Sequence, residues 1–575
     1  MGKFSNLSLP GLRHSNGNTA AAATQTNGSH DAEKVPGDNY DDSPIPRLTI
    51  HSFIMGVFVS MGGFIFGYDT GQISGFLGMA EFQARFGQKD PSGPGYHFSN
   101  VRSGLIVGLL SIGTLMGALL AAPTADRIGR KWSISAWCIM LHIGLIVQMA
   151  STQGKWYQIV VGRYIAGLGV GALSLLVPMY QGESAPRHIR GALISTYQLF
   201  ITLGIFVANC INFGTEKRTD TGSWRIPMGI SFLWVLILGI GIIFFPESPR
   251  YDYRHGRVES ARKTMTKLYG VPNNHRVVEL ELAEIKVQHV EEQKNLNQKW
   301  YEMFKAPRMM YRITLGVVLQ ALQQLTGANY FFYYGTVIFK ATGINNSYVT
   351  QMILGGVNVG TTFLGLYVIE HFGRRKSLIF GSGWMFVCFI IFASVGHFAL
   401  DRTTPTNTPD AGTAMIVFAC LFILGFASTW GPIIWTITAE LYPSRYRARA
   451  MSMSTASNWL WNFLLAFFTP FIVADIDFRY GYVFAGALFL ATATVYFFVI
   501  EGQGRTLEEL DTMYVMHVNP RKSTQWVAPP PHELVTTEQL MSGGGTTATA
   551  GAAETEEEQA KRAEAGPLSG HSETA

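Results

Sequence analysis

Twelve apolar stretches, each long enough to cross a bilayer, dominate this chain of 575 residues. A crossing α-helix takes about 20 residues. Such stretches lie near 52–76, 101–123, 132–150, 157–180, 191–213 and 226–245, then near 313–339, 349–369, 377–399, 414–441, 451–473 and 480–500. In hydrocarbon every backbone polar group needs an internal partner, which leaves helices and closed barrels, and runs this long read as helices. The composition agrees. Only 14% of residues are charged, against about 25% in an average soluble domain. The expected fold class is an all-α membrane protein with twelve transmembrane helices.

The remaining segments follow from that frame. Residues 1–50 are polar and low in complexity, and read as a disordered tail rather than a secretory leader. Cys138, Cys210, Cys388 and Cys420 fall inside or at the ends of spans, so they read as small apolar side chains, not a disulfide framework. The net charge of +5 does not point to nucleic acid, because the basic residues cluster at span ends. Twelve spans put both termini on one side. Short loops on the two sides are nearly balanced in Lys and Arg, but the central segment 246–312 adds thirteen. The positive-inside rule then makes both termini and that segment cytoplasmic.

The chain also repeats. "DRIGRK" (126–131) follows the second span and "EHFGRRK" (370–376) the eighth; "ESAPRHIR" (183–190) follows the fourth and "ELYPSRYR" (440–447) the tenth. Glu183/Glu440, Pro186/Pro443 and Arg190/Arg447 share one offset of 257 residues. Two motifs in matching places imply duplication: an N-terminal six-helix bundle over 51–246, a linker over 247–312, and a C-terminal six-helix bundle over 313–500. A solute then binds between the bundles near the midplane, and the bundles rock about it. "VVELELAEIKVQHVEEQ" (277–293) has a helical apolar rhythm, which predicts amphipathic linker helices. Residues 501–575 are expected to be a largely disordered cytoplasmic tail, since "SGGGTTATAGAAETEEEQ" cannot build a core.

These motifs, with "GGFIFGYDTGQISG" (62–75), "PMYQGESAPRHIRG" (178–191), "FPESPR" (245–250) and "QQLTGANYFFYYG" (323–335), resemble those of the sugar porters of the major facilitator superfamily, and the wording around them is similar to fungal hexose transporters. The resemblance runs from about residue 50 to 510. One departure is "IEGQG" (500–504), which keeps Glu501 but loses the proline and threonine usual there; a looser turn is expected.

A sugar is neutral and covered in hydroxyls, each donor and acceptor. Asn and Gln amides supply both functions without net charge, and an aromatic face covers the ring. The spans offer Gln198, Gln320, Gln323, Gln324, Asn329, Asn358, Asn458 and Asn462, with Phe66, Trp435 and Trp459 as aromatics. Membrane amides also simply bond neighbouring helices, but four on one span exceed what packing requires. On a straight helix Asn329 would point roughly 140° away from Gln324; Gly327 between them permits a break. The resemblance implies that Gln198, Gln323, Gln324, Asn329, Asn358 and Trp435 contact the sugar, that Asn458, Trp459 and Asn462 line or border the pocket, and that Tyr333 and Tyr334 form its extracellular gate.

Asp69 and Arg163 carry charge inside spans, at about the same depth, roughly 9–10 Å from the outer end. Opposite charges at one depth pair, which offsets most of the burial penalty. Gly63, Gly67, Gly71 and Gly75 give the first span a smooth seam, and Asp69 lies on the other side of it. A structural pair and a proton switch both fit. The resemblance implies the switch in proton-coupled members, while some similar facilitators carry the same aspartate. His142, mid-span, reads as a packing histidine. At the cytoplasmic helix ends, Arg130, Glu183, Arg190, Glu247, Arg250, Glu370, Arg374, Arg375, Glu440, Arg447 and Glu501 gather. Topology needs no glutamates, and the resemblance implies ion pairs that latch the two bundles together while the site faces outward.

No nucleophile elbow, metal-spaced cluster or phosphate loop is visible, which argues against an enzyme or an ATP-driven pump. The expected function is monosaccharide transport at the plasma membrane by alternating access, with a proton as co-substrate, no other cofactor, and a monomer in the bilayer as the working unit. A facilitative uniporter and a sugar sensor on the same fold remain the alternatives. Asn345, in "NNS", is a candidate glycosylation site in a loop expected outside, whereas a glycan at Asn27 would contradict the orientation.

Overall fold

The computed structural model describes residues 41–541 apart from positions 42, 47, 91–94, 187–188, 296–299, 343–345, 402–403, 405–406, 444 and 530–533. Asn27 and Asn345 lie outside the described residues, as does the side chain of Glu370. All twelve expected segments are helical. Among the described residues, nine helices are long and apolar enough to cross a membrane. One of these, Arg449–Phe498, holds two expected segments joined through the turn Asp477–Arg479. The segment 313–339 is instead divided into Met309–Leu325 and Ala328–Lys340.

The glycine seam explains how the first span, Ile50–Gly78, packs. Side chains added at Gly63, Gly67, Gly71 and Gly75 would strike Tyr197, Ile201, Ile205 and Asn212, all on the fifth span, Arg190–Thr215. At Gly67 a Cβ would sit 1.9 Å from the Ile201 carbonyl oxygen. The two backbones are in contact, as small residues allow in membranes. Within residues 50–244 the second span (Asn100–Ile128) packs on the fourth (Trp156–Ser184), the first on the fifth, and the third (Arg130–Met149) on the fourth and sixth (Gly222–Phe244). The same pairing recurs later. Ser347–His371 packs on Pro409–Glu440, Met309–Leu325 on Arg447–Ile476, and Arg374–Ala399 on Tyr480–Phe498.

The two halves meet at one end. There, glycines 104 and 108 pack on Phe467 and Phe463, Ser74 and Thr336 hydroxyls lie 3.0 Å apart, Tyr348 donates to the Gly75 carbonyl at 2.9 Å, and Asn209 donates to the Gln351 carbonyl. Asn346 reaches Glu216 across the same end at 2.8 Å. The opposite end carries Arg130, Arg374 and the segment between the halves.

That segment is helical, as its apolar rhythm predicts: Pro249–Arg254, Val258–Tyr269 and Arg276–Asn295. Ala261, Met265, Tyr269, Val278, Leu282 and Ile285 form its own small core. Thr49 and Ser52 both donate to the Leu268 carbonyl, tying it to the first span.

Two expectations about the tails need correction. Residues just before position 50 are ordered: Asp41 pairs with His275, whose Nε2 lies 2.9 Å from the Ser43 carbonyl. Beyond 500, the helix Leu507–Val515 begins with a complete capping box between Thr506 and Glu509, and the fully buried Arg312 donates to Asp511 at 2.6 Å. Nor is the turn at 500–504 loose, because Glu501 N donates to Ser523 Oγ at 3.1 Å. Composition located the polar tail but could not show that its first 40 residues or so supply partners for buried charges at the base of the fold.

Candidate functional site

Between the halves lies a cavity that encloses about 860 Å³ of space, the open solvent at its mouth included. Gln198, Gln323, Gln324, Asn329, Asn358, Asn458 and Asn462 line it, with Phe66, Trp435 and Trp459, so ten of the eleven side chains that the spans offer share one cavity. The break at Gly327 brings the C-terminal set together. Gly327 adopts φ +90°, a conformation that favours glycine, and the helix restarts at Ala328. Asn329 then donates to Gln324 Oε1 at 2.6 Å, which a straight helix would forbid.

A network of amides runs along the cavity wall. Asn458 is its hub: Nδ2 donates to Gln320 Oε1 and Gln323 Oε1, each at 2.7 Å, while Oδ1 accepts from Gln324 Nε2 at 2.9 Å. Asn462 donates to Gln324 Oε1 at 3.1 Å and accepts from Ser111 and Tyr333. Gln323 donates to the carbonyls of Trp430 and Gly431, where the tenth span winds as a π-helix over Phe426–Trp430. Such bulges alter the backbone bonding pattern and recur at functional sites. Gln320 is fully buried, donates to Thr438, and does not line the cavity; it is a packing amide and not a binding one.

Bonding capacity remains where the wall faces the cavity. Among the described residues Gln198 and Asn358 make no side-chain hydrogen bond, and Asn329 uses only its NH2 end. Thr70 Oγ1, buried without a partner, also lines the cavity. Sequence reasoning passed over Thr70, Thr202, Phe332 and Phe426, because short hydroxyls and apolar rings carry no signal on an apolar span. Tyr333 lines the cavity, but Tyr334 is buried behind it and donates to the Ala466 carbonyl at 2.5 Å. Phe66 meets Trp459 edge-on at 5.7 Å, one ring from each half.

Asp69 and Arg163 are both buried, 3.6 Å apart. That is an ion pair beyond hydrogen-bond length, and both Asp69 Oδ2 and Arg163 Nε lack hydrogen-bond partners. Asp69 Oδ1 accepts from Gln72 at 2.9 Å. His142 lies 2.9 Å from the Cys138 carbonyl and 3.3 Å from that of Phe232, a packing arrangement.

The charges expected to latch the halves pair within each half. Arg130 holds Glu183 through two bonds of 2.9 and 3.0 Å, and its backbone N–H donates to Glu247 at 2.8 Å. Arg374 donates to Glu440 at 3.0 Å, and the backbone N–H groups of Arg374 and Arg375 donate to Glu501 at 2.8 and 3.1 Å. Each arginine follows a glycine of positive φ, Gly129 at +96° and Gly373 at +84°. A Cβ there would lie 2.4 Å from Glu247 and 2.8 Å from Glu501 respectively. The glutamates thus sit against the N-termini of the third and ninth helices, where backbone N–H groups and the dipole favour an anion. The physical reason for this pairing is local reach. Each acid is one helix away in its own half, and Arg190 and Arg447 bond the Ala185 and Tyr442 carbonyls of their own turns. Burial raises the Glu247 carboxyl above its ordinary value, opposed by the N–H donors of Ser248, Lys131 and Arg130. Burial lowers Arg250, opposed by Glu183.

Known proteins share both sequence and geometry with this arrangement. The family model described as "Sugar (and other) transporter" matches residues 55–514. The high-affinity fructose transporter ght6 of Schizosaccharomyces pombe is 46% identical, over 82% of this chain and 88% of that protein. The hexose transporter HXT10 of Saccharomyces cerevisiae is 42% identical, over 89% and 94%. Among solved structures, the proton:xylose symporter XylE bound to 6-bromo-6-deoxy-D-glucose superposes with a TM-score of 0.66 at 26% identity, covering 81% of this chain and 99% of that one. The inward-open xylose transporter XylE from E. coli has the same TM-score at 24% identity, covering 80% and 99%, and there the likeness is one of fold. A helical chain with membrane-spanning helices, a duplicated packing plan and these matches is a sugar transporter and not an enzyme: it belongs to the sugar transporter family of the major facilitator superfamily.

Proposed function

We propose that this chain carries hexoses of the glucose, fructose and mannose class across the plasma membrane by alternating access, coupled to a proton. The observation that carries the reading is the ring of seven amides and three aromatic side chains around one cavity, with bonding capacity left at Gln198, Asn329 and Asn358. A neutral polyol needs donors and acceptors without charge, and the ionised side chains nearby are turned to each other instead.

In this reading twelve spans cross the bilayer as two six-helix bundles, with termini and linker cytoplasmic, and a single chain suffices because all lining residues come from it. Among the described residues the contacts between the halves named above then lie at the outer end, which fits an inward-facing state. Tyr333 closes the cavity from outside through Asn462. Rocking about the cavity must break the contacts of Ser74, Tyr348 and Asn346 and form new ones at the cytoplasmic end. Asp69 carries the proton, and Arg163 favours the charged form when close. The loose 3.6 Å separation fits a pair that parts during the cycle.

The test is uptake of labelled glucose, fructose, mannose and xylose by cells lacking their own hexose carriers, with pH recorded in an unbuffered medium. Hexose uptake with alkalinisation is expected. Uptake without alkalinisation makes the protein a uniporter, and sugar-dependent signalling without uptake makes it a sensor.

A further inference from the structure

The two oxygens of the Asp69 carboxylate stand in different surroundings. Oδ1 accepts a 2.9 Å hydrogen bond from Nε2 of Gln72, one turn further along the same helix. Oδ2 faces Arg163 without a hydrogen bond. Gln72 is itself fixed, being 1% exposed. Its Oε1 accepts from Ser231 Oγ on the sixth span at 3.4 Å, and its backbone carbonyl accepts from Asn212 Nδ2 on the fifth at 3.1 Å. An amide has one acceptor end and one donor end. With the acceptor turned to Ser231, the donor end faces Asp69.

We propose that Gln72 is a positioning residue for the proton-carrying step: it occupies Oδ1, leaves Oδ2 as the atom that takes the proton, and sets the pH at which it does so. The inference rests on the proton-coupled reading above. A hydrogen bond donated to a carboxylate favours its charged form; Gln72 stands on Asp69's own helix, whereas Arg163 stands on another span. Together they give the switch a fixed component and a movable one.

The other polar groups packed near this carboxylate are engaged elsewhere or neutral. Tyr68, on the same span, donates to the Pro227 carbonyl at 2.8 Å. Tyr333 on the seventh span donates to Asn462. The sixth span brings Ser231 and Trp234, the fourth brings Arg163 with Ala166 and Val170, and the third brings Leu141 and Leu145, its His142 bonded to carbonyls. Asn212 of the fifth span bonds backbone oxygens. Among the described residues, the carboxylate is thus addressed by Gln72 and Arg163.

The test uses the full-length protein in proteoliposomes, with glucose as the probe and sugar-dependent proton uptake followed against pH. Gln72→Met keeps the side chain's length and removes the donor. Its half-point is expected to move about one pH unit upward, with glucose half-saturation at acid pH changed less than twofold. Gln72→Glu, which sets a second acid against the first, should move it further in the same direction. Ser231→Ala leaves Gln72 in place but frees its amide to turn, and a smaller upward move is expected. An unmoved half-point in Gln72→Met, with proton coupling intact, overturns the proposal. If that variant does not reach the membrane, an unmoved half-point in Ser231→Ala overturns it instead. Wild-type protein that moves glucose with no proton overturns the symport reading and this inference with it, a failure seen before any variant is made.

Discussion

The two halves of this transporter share a packing plan and differ in the chemistry they place on it. Residues 50–244 hold a buried carboxylate and guanidinium, Asp69 and Arg163, each with atoms lacking hydrogen bonds. The buried pair made by the later half, Arg312 with Asp511, lies instead at the base of the fold, and residues 309–498 bring no ionised side chain to the described lining of the cavity. They hold a mesh of neutral amides in which Asn458 alone engages three glutamines. In the proposed cycle a duplicated frame is divided between two tasks. Neutral, mutually bonded amides suit recognition of a neutral solute, because reorienting an amide costs little compared with uncovering a charge. An under-bonded ion pair suits a switch, because few bonds must be broken to part it.

The sharpest way to break that division is Asp69→Asn. In the proposed cycle it imitates a permanently protonated side chain, so uphill accumulation and sugar-driven alkalinisation should vanish while downhill exchange continues. If the pair serves stability alone, stranding Arg163 should cost about 3–5 kcal/mol, and membrane expression and all transport should fall together. Radiolabelled accumulation ratios beside surface expression separate the outcomes.

Asn458→Ala attacks the other task. It leaves Gln320, Gln323 and Gln324 each short of a partner, and every unmet buried group costs about 1–3 kcal/mol. Hexose affinity should fall by one to two orders of magnitude while the sugar–proton stoichiometry stays as in wild type. Altered stoichiometry would show that the halves are not divided in this way.

Asn329→Ala should weaken transport less, roughly five- to tenfold, since it removes one cavity-facing acceptor and one bond to Gln324. Gln323→Ala should fall between the two, because it also frees the carbonyls of Trp430 and Gly431. Concentration-dependent uptake ranks the three, and equal effects would refute the hub.

The smallest effect is expected at Glu247→Gln. Burial raises this carboxyl, so the stability it contributes is fullest below the ordinary glutamate value of about 4.3 and is lost as pH rises through the raised one. A glutamine keeps an acceptor for the N–H groups of Arg130, Lys131 and Ser248 and carries no charge. Thermal stability in detergent should change by less than about 1 kcal/mol and lose part of its pH dependence just above the glutamate range. Glu247→Ala, which removes the acceptor, should destabilise more.

Much of this was legible in the chain, for physical reasons that differ by residue. Apolar runs exposed the helices because hydrocarbon tolerates little else. Gly327 exposed the break because Asn329 and Gln324 cannot otherwise meet. The spacing of glycines 63, 67, 71 and 75 exposed a packing seam, although not that the fifth span fills it. Gln72 stayed hidden: it lies three residues from Asp69, but a lone amide on an apolar helix has a packing reading at least as good. The partners that Arg130 and Arg374 hold in this state were not legible, because a motif states which charges gather, and only coordinates state who is within reach. Order at 501–529 was missed because the partners of Asp511 and Glu501 lie far off in sequence or in a polar stretch whose composition resembles that of the residues after it.

The seam between the first and fifth spans has a mechanical consequence. With Gly67 laid against the Ile201 carbonyl, there is no side-chain padding at that point to absorb sliding, so in the proposed cycle the pair would tilt as one stiff plate. Asp69 stands on one side of that plate, and Gln198, on the fifth span, stands among the residues that face the sugar cavity. Any rotation felt by one is delivered to the other without slack, which would keep the timing of proton and sugar steps in register over many cycles. A residue as small as alanine at position 67 would act as a shim and let the two events drift apart.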